Sequence, residues 1–152
     1  MSTIVGTNIE VTNIKYDSDT TSMIISNAGQ VTIQGEGTNT TNLQQGLVKG
    51  WSHFQGGGTA ANVDGLNISS IDDDGTGDYG LHYTNNMANV TYLVVNGMDD
   101  DGVSTAGVLT DTTNGTMATG SVDFETFYLM TGDNRTNYDY YNAYLAIIGD
   151  LA

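Results

Sequence analysis

The chain has 152 residues, a one-domain length able to bury roughly 70% of the surface of its unfolded form. It contains no Cys and no Pro, so neither disulfides nor thiolate metal sites are available. Eighteen Asp and Glu face only Lys15, Lys49 and Arg135, a net charge of -15 that excludes a nucleic-acid surface and disfavours anionic membranes. Such a balance suits a soluble surface protein that tolerates high ionic strength, where counter-ions screen self-repulsion. No apolar run reaches the length of a membrane span, and Met1 to Gly6 lacks a basic stretch followed by an apolar one, so synthesis in a cytoplasm with release by lysis is expected.

In chain order, apolar residues fall in short alternating runs broken by Gly, Asn and Asp, the pattern of β-strands. Ile9 to Tyr16 is a first strand, and Ser22 to Ser26 with Gln30 to Gln34 flank a turn at Asn27-Ala28-Gly29 as a hairpin. Gly35 to Gln45 is polar and reads as a connector, although Thr40 to Val48 has room for a turn or two of helix. In Leu47 to Phe54 the alternation puts Val48, Gly50, Ser52 and Phe54 on one face and Leu47, Lys49, Trp51 and His53 on the other. Leu66 to Ile71 and Tyr79 to Tyr83 form a hairpin across Asp72 to Asp78.

Val90 to Val95 reads as a buried strand, Val103 to Leu109 as a weaker one and Val122 to Met130 as a long alternating one. Tyr138 to Ile148 becomes apolar on both faces, which places it mid-sheet or at a subunit interface. The expected architecture is all-β: an antiparallel β-sandwich, jelly-roll-like, over residues 40–152, preceded by a short β region over residues 1–39 that anchors or associates. Exposed strand edges in that short region call for a covering partner, so its order is expected to depend on assembly.

Residues 40 to 95 carry an ordered series: Thr41 to Leu47, then Lys49, Trp51 and Phe54, then Leu66 to Ser70, Asp74 to Tyr79, Thr84 to Ala88 and Tyr92. The series resembles a domain of tail-fibre and other virion structural proteins of phages, especially those that infect cyanobacteria. Tyr144 to Asp150 is similar to that family's closing strand, so the resemblance spans about residues 28 to 152. Relatives usually carry Ala at Gly50 and an Arg-Asp or similar pair at Val63-Asp64, differences expected to touch surface chemistry and not fold. Tail fibres also carry an attachment domain and a stalk upstream, whereas here barely forty residues precede the domain, so a stand-alone virion module is expected.

The resemblance implies a non-enzymatic structural protein on the virion surface: a capsid decoration such as a knob, cement protein or short head fibre. Homotrimeric self-association and contact with other virion proteins, such as the major capsid protein, are implied with it. The alternative is a tail-fibre or receptor-binding module that contacts host surface polysaccharide.

Candidate chemistry is sparse. Asp72-Asp73-Asp74 with Asp78, and Asp99-Asp100-Asp101, offer hard oxygen ligands for calcium. Counting from Asp72, Gly77 fits the sixth position of an EF-hand loop, but Thr76 and Tyr83 stand at its fifth and twelfth, so solvated hairpin tips are the simpler reading. His53 and His82 lie in different strands without zinc-type spacing. Carboxylate pairs of glycosidase type arise by chance among eighteen acids, and neither a Gly-x-Ser-x-Gly elbow nor a phosphate loop is present, so no enzyme activity and no cofactor are expected. Among the aromatic residues, Trp51 and Phe54 are expected in the core, and Tyr138, Tyr140, Tyr141 and Tyr144 between subunits, with glycan stacking by exposed Tyr as the competing use.

Overall fold

The computed structural model describes residues 13–15, 21–26, 29–34, 40–99, 106–110, 117–130 and 134–152. The chain divides into two units, Met1–Gly46 and Leu47–Ala152. The first holds β1 (Asn13–Lys15), β2 (Thr21–Ile25), β3 (Val31–Gln34) and β4 (Thr40–Asn42), one antiparallel sheet in that order. The β2–β3 hairpin forms where expected: Gly29 takes φ 75°, and the Ser26 carbonyl accepts its N–H at 2.9 Å. A single helical turn, α1 (Leu43–Gly46), follows, with the Asn42 Oδ1 accepting the Gln44 N–H at 2.9 Å as its cap.

The expected connector is corrected at its C-terminal half. Thr40 and Thr41 pair with Gln34 and Ile33, and Asn42 with Thr32, so residues 40–46 belong to the first unit and the boundary moves from 39/40 to 46/47. Polar side chains hid this strand, because ladder bonds use backbone groups that every residue but Pro supplies. Of the expected first strand, Asn13–Lys15 is present as β1; Ile9–Thr12, Tyr16 and residues 35–39 lie outside the described residues.

The second unit is an antiparallel β-sandwich. Its strands are β5 (Val48–Gln55), β6 (Ala61–Leu66), β7 (Ile68–Gly75), β8 (Asp78–Tyr83), β9 (Leu93–Met98), β10 (Ala106–Thr110), β11 (Ser121–Leu129), β12 (Arg135–Asn137) and β13 (Ala143–Ile148). One sheet runs β6-β5-β13-β9 and the other β10-β11-β8-β7. The short β12 takes over from β8 along β11: β8 pairs with Ser121–Glu125 and β12 with Phe127–Leu129.

Inward residues alternate as the period of two requires. Phe54 from β5, Tyr79, Leu81 and Tyr83 from β8, Val122 and Phe124 from β11, and Ala143, Leu145 and Ile147 from β13 meet in one core with Met87 and Tyr92. Phe54 anchors it, edge-on to Tyr79 at 4.5 Å and to Phe124 at 5.2 Å between ring centroids. β13 lies mid-sheet between β5 and β9, which accounts for its apolar character.

Four expectations are corrected. Trp51 is not in the core: alternation sends it to the face opposite Phe54, where it is 37% exposed. The run Val90 to Val95 is not a buried strand; the strand is Leu93–Met98, at a sheet edge, with Leu93 and Val95 exposed. Asp72, Asp73 and Asp74 lie in β7 and not at a hairpin tip, since the turn is only Thr76-Gly77. Finally, Gly50 is buried, and a Cβ there would stand 3.3 Å from the Leu66 carbonyl oxygen, so its difference from Ala concerns packing and not surface chemistry. The β12 strand, Arg-Thr-Asn, has no apolar period by which sequence could signal it.

Candidate contact face on the outer sheet

Register fixes what the outer face of the β6-β5-β13-β9 sheet presents. Trp51 stands opposite Leu66 on one side and Ala146 on the other, and Ala146 stands opposite Val95. The next row on the same face is Asp64, His53, Tyr144 and Gly97. The first row is wholly apolar, and Leu66, Trp51 and Val95 are exposed. Between Trp51 and Tyr144 the small Ala146 and Gly97 leave a shallow groove of about 290 Å³, lined also by Val95 and Asn96. Bulky rings beside two residues with little or no side chain account for the depression.

The rim is ordered by stacking. The His53 ring lies nearly parallel to Tyr144, 4.8 Å between centroids and 20° between planes, and its Nε2 is 2.9 Å from the Asn142 Oδ1. Tyr144, 45% exposed, is thereby held upright as a wall of the groove. An exposed apolar row with aromatic walls and polar neighbours has the make-up of a contact surface.

The four tyrosines expected at an interface part company. Tyr140 is fully buried and edge-on to Tyr138 at 4.9 Å; Tyr138 and Tyr141 are exposed away from the core; only Tyr144 joins the groove. Tyr140 is a core group, whereas Tyr138 and Tyr141, in the segment before β13, are exposed and do not line the groove.

The acidic candidates do not converge. Among the described residues no three His, Asp or Glu side chains could together hold a metal ion. Asp72 instead meets His82 at 2.8 Å, an exposed pair worth little to stability. With Asp73 and Asp74 it lies on β7, an edge strand, where charge discourages pairing with another chain. Asp99 is exposed beyond the end of β9, and Asp100 and Asp101 lie outside the described residues.

Asp139 is the polar residue that sequence reasoning passed over. Its Oδ1 accepts the Gly77 N–H at 2.6 Å and the Tyr79 hydroxyl at 2.7 Å, fastening the β7–β8 turn to the approach to β13. The only sequence signal was an acid between two tyrosines in an otherwise apolar run. Burial, reinforced by this bond and by the charge of Asp139, pushes the Tyr79 hydroxyl far above the ordinary tyrosine range. Burial likewise raises Tyr83 and Tyr92, whose rings meet edge-on at 5.9 Å.

These shifts have a defined consequence at alkaline pH. Each tyrosine is favoured neutral in the folded state, so its contribution is intact below the unfolded value near 10 and is lost as pH rises above it. Spectrophotometric titration is expected to show Tyr79, Tyr83 and Tyr92 ionising only as near-UV dichroism collapses. Reversible ionisation of all nine tyrosines with dichroism unchanged would contradict this placement.

Compared with known proteins, the chain matches no family model, no curated protein sequence and no solved structure.

Proposed function

We propose that this chain is a non-catalytic structural subunit of the surface of a phage particle, a capsid decoration of knob, cement or short-fibre type that acts by contact. The observation that carries the reading is the exposed apolar row Leu66, Trp51, Ala146 and Val95, displayed on a sandwich whose own core is already filled. The likeness of residues 40–95 to virion-surface domains supplies the setting, and the acidic excess keeps such a subunit soluble until it meets its partner. Purified protein is expected to bind expanded capsids at a saturating, symmetry-related copy number. Trp51→Ala is expected to weaken that binding about tenfold or more, roughly 1.4 kcal/mol. Failure to bind any capsid would refute the assignment.

A second reading is favoured by one feature, the groove walled by Trp51 and Tyr144. Aromatic rings beside a shallow trough suit the apolar faces of sugar rings, and under this reading the chain is a tail-fibre or receptor-binding module for host polysaccharide. It predicts that soluble protein blocks phage adsorption and that Trp51→Ala relieves the block. Capsid binding without any effect on adsorption would decide for decoration.

A further inference from the structure

Asp64-Gly65, on β6, brings an electrophile and a nucleophile of the chain together. β6 is an edge strand whose only ladder neighbour is β5, and its pairing slips by one residue here: His53 faces Asp64 and Phe54 faces Asn62, so Val63 is the extra residue of a bulge. Just past the bulge, the Gly65 N–H donates to the Oδ1 of the preceding Asp64 at 2.8 Å, which sets the amide nitrogen beside the carboxyl group of its own neighbour. Both residues are exposed. Packing demands glycine at this position, since a Cβ on residue 65 would stand 2.6 Å from the Trp51 carbonyl oxygen. The lack of a side chain also leaves the nitrogen unshielded from the carboxyl group.

We propose that Asp64-Gly65 is a site of spontaneous backbone modification, at which Asp64 closes to a succinimide and reopens as isoaspartate. The Gly65 nitrogen forms a bond to the Asp64 Cγ and gives up its proton, while the C–OH bond of the protonated carboxyl group breaks; the proton and the hydroxyl leave as water. A water then adds to the α-carbonyl carbon of the ring, and the bond from that carbon to the Gly65 nitrogen breaks. The chain now runs through Cγ and carries a free α-carboxyl group, with no net change in atoms and no oxidant or cofactor consumed. Proximity carries the argument, because a nucleophile held in contact with its target reacts far faster than one that must find it. Of the pairs of this kind among the described residues, Asp64-Gly65, Asp74-Gly75 and Asn96-Gly97, only the first has the glycine N–H donating to the preceding side chain. Gly97 faces Tyr144 within the β9–β13 ladder. The product adds a methylene to the backbone of β6, so the pairs His53 with Asp64 and Trp51 with Leu66 cannot both keep register, and the Leu66 end of the outer apolar row is displaced. The reaction needs no partner and is independent of what the outer face binds.

Mass spectrometry of the full chain, incubated for weeks near neutral pH at physiological temperature in heavy-oxygen water, tests the proposal. The segment that contains Asp64 is expected to gain one heavy oxygen atom per modified chain and to accept a methyl group from a protein isoaspartyl methyltransferase. It is also expected to resist an endoproteinase that cuts before Asp but not before isoaspartate. Modification at Asp64 is expected to run severalfold ahead of that at Asp74, and unfolding in denaturant, which releases the held nitrogen, is expected to erase the difference. Asp64→Asn supplies ammonia as a better leaving group and is expected to react severalfold faster, read as conversion of the amide to an acid. Asp64→Glu must close a larger ring and is expected to abolish the modification at residue 64 while the melting midpoint and dichroism stay native. Absence of isoaspartate at residue 64, formation no faster than at Asp74 in the folded chain, a lead that persists in denaturant, or labelling that survives Asp64→Glu would overturn the proposal.

Discussion

Among the described glycines, Gly77→Ala is expected to be the most damaging change. Gly77 takes φ 67°, in the left-handed region that a side chain disfavours. A Cβ there would collide with the Thr126 carbonyl oxygen and stand 2.7 Å from the Tyr138 nitrogen, both backbone atoms that cannot swing aside. The position is also a junction. The Gly77 carbonyl accepts the Thr126 N–H at 2.8 Å, the Thr126 carbonyl accepts the Tyr138 N–H at 3.0 Å, and the Thr126 hydroxyl donates to the Tyr138 carbonyl at 2.6 Å. Here β11 passes from its pairing with β8 to its pairing with β12, and the Asp139 carboxylate holds Gly77 from the other side. Strain of roughly 1–3 kcal/mol and overpacking of similar size add to about 2–6 kcal/mol, a large part of the roughly 5–15 kcal/mol that holds a domain together. Thermal melting followed by circular dichroism should show a much lower midpoint or no folded baseline; a midpoint within about 2 °C of wild type would mean that the turn is not built this way.

Phe54→Ala is the second large effect, and it acts through volume. Phe54 is fully buried between the sheets, edge-on to Tyr79 and Phe124. Truncation removes the ring and leaves a cavity that two sheets pinned by their ladders cannot close, at a cost of about 3–5 kcal/mol. The expected midpoint loss is roughly 10–20 °C. Trp51→Ala, three positions earlier on the same strand and on the outer face, is expected to cost far less. Equal losses for the two changes would place Trp51 in the core and reverse the assignment of faces on β5.

Trp51 and Phe54 also illustrate how far sequence could be read. Their odd spacing assigns them to opposite faces, whereas their size argues that both are inside; periodicity was the better guide, because a strand cannot turn one ring through half a revolution to bury it. The alternation of β11 and the doubly apolar β13 were legible for the same reason. Val90 to Val95 misled because an apolar edge strand and an apolar central strand have the same letters. β4 and β12 were invisible, since Thr, Asn and Arg pair through the backbone as well as Val does. The contact face was half legible: Trp51, His53 and Tyr144 were each recognised, but their meeting across β5 and β13 joins residues some ninety positions apart.

By itself, the sequence determined an all-β chain, its main hairpin, the two faces of β5 and a strong net negative charge. Only the tertiary structure decided which strands are edges, that Ala146 and Gly97 open a groove beside Trp51, that Asp139 fastens the turn at Gly77, and that Thr40–Asn42 pair with β3 of the first unit. The difference is physical. Local periodicity sets the direction in which each side chain points, but strand order is set by backbone bonds that are alike for nearly every residue, chosen only by the joint burial of the whole core.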